Sequence, residues 1–139
     1  MQMIMENIVA EIAQENQLEF TEISELKKLL SIVEAETLQV NLVIPNDRWL
    51  AVAVHLLGFI RRINSGETLP PVDHALFAEI APEMVSLSAR VFDVYGEKTS
   101  RRYDQSEIML MAVHFETAKS LQEELGGGED GKQGKSGDR

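Results

Sequence analysis

Asp47 to Gly66 reads DRWLAVAVHLLGFIRRINSG, and this stretch decides the fold. Its apolar residues recur at helical spacing and no proline interrupts it. Asn46 or Asp47 is placed to cap its start, and Asn64-Ser65-Gly66 ends it in the manner of a left-handed terminal glycine. The same periodicity extends outward to further segments, so that helices are expected near 3–16, 22–38, 47–64, 73–95 and 104–125. Ile4, Ile8 and Ile12 give the first an apolar stripe, as Ile23, Leu26, Leu30 and Val33 give the second. Asp104 with Glu107 three residues on resembles a capping box for the fifth. Leu38 to Ile44, LQVNLVI, alternates like a strand but has no second strand to pair with, so it is expected as an extended linker. These expectations add up to an all-α, five-helix bundle over residues 1–125.

The rest of the chain narrows the class of function. Of 139 residues, 44% are hydrophobic and 26% charged, an ordinary balance for one soluble domain. Thirteen Lys and Arg against 23 Asp and Glu leave a net charge of -10, which would repel a nucleic acid, so no direct nucleic-acid binding is expected. Absence of Cys excludes a disulfide framework, a thiol nucleophile and a thiolate zinc site together. No apolar run approaches the roughly 18 residues of a membrane span. The start, MQMIMENIVAEIAQ, carries acid where a secretion signal carries base, so a cytoplasmic location is expected. Gly126 to Arg139, GGGEDGKQGKSGDR, has no apolar residue to bury and reads as a disordered tail. Its charges cancel, so the whole excess of acid belongs to residues 1–125.

Chemical motifs are sparse. Gly126 to Gln133 imitates a phosphate loop, but Gln133 stands where Ser or Thr must ligate Mg²⁺, and a helix precedes it where a strand should. No acid lies three residues before His55, His74 or His114, which argues against a carboxylate-histidine metal bundle. Neither a metal nor a cofactor is implied. Trp49, Met84, Met109 and Met111 read as core filling, and His74 reads as a surface residue. Two histidines remain. Residues seven apart on a helix differ by about 20° in direction, which lines up Arg48, His55 and Arg62, and separately Glu107 and His114. Each histidine would also serve as a half-buried structural residue.

Three segments change that weighting: HLLGFIRRINSG, AEIAPEMVSLSARVFDVYG and SEIMLMAVHFETA. Together they resemble the PRD, the regulation domain of bacterial phosphotransferase systems, over roughly residues 20–123. The shared features are an arginine seven after the first histidine (His55, Arg62), Pro82-Glu83-Met84 leading a long helix, an acid seven before the second histidine (Glu107, His114), and the separation of 59 between the histidines. The chain departs from the family at Leu69-Pro70-Pro71, at Gly58-Phe59, and in Glu97 to Tyr103 with Arg101-Arg102. It also carries a single such domain, without an RNA- or DNA-binding module.

The resemblance implies a stand-alone regulatory domain rather than an enzyme. Phosphohistidine-carrying phosphotransferase-system proteins would phosphorylate His55 and His114, with Arg62 and Glu107 supporting the phosphate and the histidines. Control of sugar-operon expression or of a partner protein would then pass through protein association, and a homodimer is expected. The alternative is a helical interaction module of the same fold whose histidines are not phosphorylated. The tail yields its own test. Truncation after Leu125 is expected to leave the thermal midpoint unchanged, because solvent satisfies the tail's backbone; a midpoint lowered by several degrees would show that the tail packs.

Overall fold

The computed structural model describes residues 2–71, 73, 75, 78–99 and 105–126. Five long helices account for most of them: α1 (Gln2–Asn16), α2 (Phe20–Gln39), α3 (Asn46–Ser65), α4 (Pro82–Thr99) and α5 (Gln105–Gly126). The architecture is all-α, as the periodicity predicts. His74, Arg101, Arg102, Asp104 and the tail from 127 onward lie outside the described residues.

Helix α3 is the organising element, packing against α1, α2 and α5, while α4 packs against α5 and α2. This placement follows from its composition. Trp49, Val52, Ala53, Leu56, Leu57, Phe59 and Ile60 are all buried and form an apolar stripe about 160° wide, broad enough to meet more than one neighbouring helix. Phe59 meets Phe92 and Tyr95 edge-on at centroid distances of 4.9 and 5.8 Å, joining α3 to α4 by aromatic packing. Trp49, Met84, Met109 and Met111 are core residues, as expected. Tyr95 stays buried because its hydroxyl donates to Glu25 Oε1 at 2.6 Å.

Helix ends agree with the sequence in one case and differ in two. Gly66 terminates α3 at φ +80°, where its N–H and that of Glu67 both return to the carbonyl of Arg62. At the other end neither Asn46 nor Asp47 caps α3: Pro45 is the N-cap residue, with an extended backbone, and its carbonyl accepts from Arg48 and Trp49. Helix α4 begins at Pro82, not near residue 73. Proline lacks the N–H that a first helical turn leaves unpaired anyway, and it disfavours helical geometry at Ala81.

The linker expected at 38–44 is shorter than the alternation suggests. Leu38 and Gln39 complete α2, and Asn41 turns the chain at φ +58°. Only 42–45 lie outside helix and turn, with Leu42 and Ile44 buried and Val43 exposed. Among the described residues no strand pairs with this segment. Gln122 of α5 does so instead, accepting from the Val43 N–H at 2.7 Å and donating to the Asn41 carbonyl at 3.1 Å.

Candidate functional site

Arg62 and Glu107 meet across the α3–α5 interface. Arg62 Nε donates to Glu107 Oε2 at 2.7 Å and Nη2 donates to Oε1 at 2.9 Å, a two-pronged charge-assisted pair. The Glu107 side chain is only 5% exposed, and the Arg62 guanidinium lies against it. Gly58 leaves room for this approach. It stands one turn before Arg62, and a Cβ there would come within 3.0 Å of Arg62 Nη1, so the absent side chain leaves the guanidinium its seat.

His55, on α3 between Arg48 and Arg62, points into the same interface. Its side chain is 9% exposed and its Nε2 lies 3.9 Å from Glu107 Oε1, too long for a hydrogen bond. That nitrogen is buried and has no hydrogen-bond partner among the described residues. His114, on α5, brings its ring centroid to 5.4 Å from that of His55. The two lines of residues read separately in the sequence thus form one cluster of Arg62, Glu107, His55 and His114. One assignment changes with it: Glu107 shares a helix with His114 but faces His55, and it holds Arg62.

Burial pushes the His55 imidazolium down to a pKa of about 3, with the neighbouring His114 and the Arg62 guanidinium adding to the effect. Burial also lowers His114, helped by the positive charge of Arg48. Both rings are therefore neutral near pH 7, each with a nitrogen lone pair available. Arg48 is the residue that the sequence placed on the line without a role. Its Nε is buried with no acceptor among the described residues. The missed signal was its position, seven before His55 on the same helix face.

A family model for the PRD domain matches residues 27–118, which span α2 to α5 and include every residue of the cluster. The chain belongs to the PRD family. Among solved structures, a PRD-containing transcription regulator from Lactobacillus casei ATCC 334 is similar with a TM-score of 0.67 at 23% identity, over 81% of this chain and 92% of that one. At that identity the likeness is one of fold. No curated protein matches the chain.

Among the described residues of this PRD chain, no three His, Asp or Glu side chains are grouped to hold a metal ion. Nor is any helix among them long and apolar enough to cross a membrane.

The depressed His55 pKa has a direct consequence for stability. Above about pH 6.5 the ring is neutral in both folded and unfolded chains and contributes no pH dependence. Between about 6.5 and about 3 the unfolded chain takes up a proton that the folded chain refuses, so stability falls as pH falls, by about 1.4 kcal/mol per unit. His55→Gln has no such proton to take up. Urea unfolding of both proteins between about pH 7 and 4 should therefore show their stability difference shifting against the parent by about that slope; a constant difference would mean that His55 titrates normally in the fold.

Proposed function

We propose that this PRD domain is a regulatory switch phosphorylated on His55 and His114 by phosphohistidine-carrying proteins of a phosphotransferase system. The observation that carries the reading is the pair of neutral imidazoles, 5.4 Å apart, set among arginine side chains. A lone pair of the acceptor ring attacks phosphorus, the N–P bond of the donor breaks as the new one forms, and the donor imidazole leaves. The incoming group brings roughly two negative charges, which a guanidinium meets with paired hydrogen bonds. Arg62 is the receiving residue for His55, provided that Glu107 releases it. The donor supplies the activated phosphate, so the domain acts as substrate and not as enzyme.

The readout is a change in association, in a cytoplasmic protein that pairs with a second copy of itself. Phe20, Leu38 and Val43 supply exposed apolar surface for such contacts. Sugar-operon control through a partner protein is the regulatory outcome that the family suggests. A second reading has one observation in its favour. The deep burial of His55 suits a structural histidine, as in an interaction module that is never phosphorylated.

Incubation with phosphoenolpyruvate and the general phosphotransferase proteins separates the two. The expected product carries an acid-labile, base-stable addition of about 80 Da that disappears in the His55→Gln/His114→Gln variant. No addition from any available donor would favour the interaction module. Arg62→Ala should weaken transfer to His55, and Arg62→Lys should restore only part, because the ammonium lacks the planar fork. Arg61 is the control. It pairs with Glu22 of α2 at 2.9 Å, away from the cluster. Equal loss from Arg61→Ala would leave Arg62 only a general electrostatic role.

A further inference from the structure

Gly58 stands in the interior of α3, where glycine is the least favoured helix former after proline, and it is one of the positions at which the chain departs from its family. The head of Arg62 fills the place of the missing side chain. Its Nη1 lies 3.0 Å from where a Cβ would stand, and its Cζ and Nη2 lie at 3.7 Å. Arg62 therefore folds back along the helix, as long helical side chains do, into a place one turn from His55. Glu107 holds one edge of the guanidinium through Nε and Nη2. None of the hydrogen bonds among the described residues uses Nη1. The arrangement reaches the histidine as well: Glu107 Oε1 lies 2.9 Å from Arg62 Nη2 and 3.9 Å from His55 Nε2, so a single carboxylate oxygen stands between the arginine and the ring.

We propose that Gly58 is a positioning residue for the phosphorylation of His55: its missing side chain seats Arg62 so that Nη1 is left to meet the phosphoryl group while Glu107 still holds the other edge. The inference rests on the phosphorylation reading above and adds to it the residue that aims the arginine. The donor's N–P bond breaks as the bond from His55 to phosphorus forms, and the phosphoryl oxygens accept from Nη1. The His55 ring gives up the proton of its other nitrogen to solvent, and the donor ring takes one up as it leaves. A first contact of this kind precedes any release of Arg62 by Glu107, which the full two-pronged receipt requires. A methyl group at position 58 interferes twice. It pushes Nη1 aside by a few tenths of an ångström, against the hold of Glu107, and it fills the space in which the phosphoryl oxygens and Nη1 meet.

The test measures labelling of His55 by phosphorylated donor protein in the full chain carrying His114→Gln. Gly58→Ala should slow that labelling by about tenfold, the worth of a charge-assisted hydrogen bond. Loss of the fold would not be the cause, because Ala is the better helix former and the variant should keep its thermal midpoint. Where Arg62→Ala is already present, adding Gly58→Ala should change the rate by less than about twofold, since position 58 acts only through the arginine. Unchanged labelling in the first comparison, or equal slowing in both, would overturn the proposal. Thermal unfolding of the same proteins needs no donor. Gly58→Ala should raise the midpoint by about 3 °C in the Arg62→Ala chain and leave it unchanged where Arg62 is present. Equal gains in both would show that the guanidinium does not occupy this seat, and would overturn the positioning role. Absence of labelling in the parent chain would remove the phosphorylation reading and the phosphate role with it, while the midpoints would still decide whether Gly58 seats Arg62.

Discussion

A carboxylate placed between two helices must keep a cation beside it, and this constraint organises the site. Glu107 is almost fully buried where α5 packs against α3, and the two-pronged contact with Arg62 helps to make that burial tolerable. The pair fixes which face of α3 meets α5, and hence where His55 and His114 stand. It need not add much net stability, since a well-packed apolar pair would stabilise the interface as well. Its consequence is specificity: among the ways that two apolar helices could slide past one another, it selects the register that places the two imidazoles in contact. Gly58 belongs to the same device, because any larger residue would crowd the guanidinium.

The cluster is also asymmetric. His55 sits deep, near an arginine already engaged by Glu107; His114 is less deeply buried, and the charge of Arg48 lowers its pKa. Two histidines close enough to feel one another's charge cannot respond independently to an added anion. A regulatory domain built this way can read more than one level of input, with the first event changing the electrostatic setting of the second. That fits a PRD chain whose excess acid lies in residues 1–125, because further negative charge on such a surface needs a nearby cation to be accommodated.

Much of this was legible in the residues, and the failures have physical causes. Helical spacing gave α1, α2, α3 and α5 their approximate limits, and Gly66 marked a helix end that its positive φ confirms. The start of α4 was misplaced because 73–95 carries enough apolar residues to look continuous, whereas Pro82 begins the helix. Alternation in 38–44 was real, with Leu42 and Ile44 inside and Val43 outside, but the partner for its backbone is a side chain 79 residues away. The site residues were named one by one from their own helices. Their grouping was not readable, because periodicity fixes directions around one helix axis and leaves open which neighbour each direction meets. Spacing along α5 sets Glu107 in line with His114, whereas its carboxylate meets Arg62 across the interface.

The account stands on the coupling between Arg62 and Glu107, and a double-mutant cycle measures it directly. Arg62→Met, Glu107→Gln and the double variant would be compared with the parent by urea unfolding at neutral pH. Each single change should destabilise the fold, because it leaves one buried polar group without its partner. The double change should cost less than the sum of the singles by about 2 kcal/mol or more. Effects that add to within about 0.5 kcal/mol would contradict the account, since they would mean that the two side chains do not depend on one another in solution.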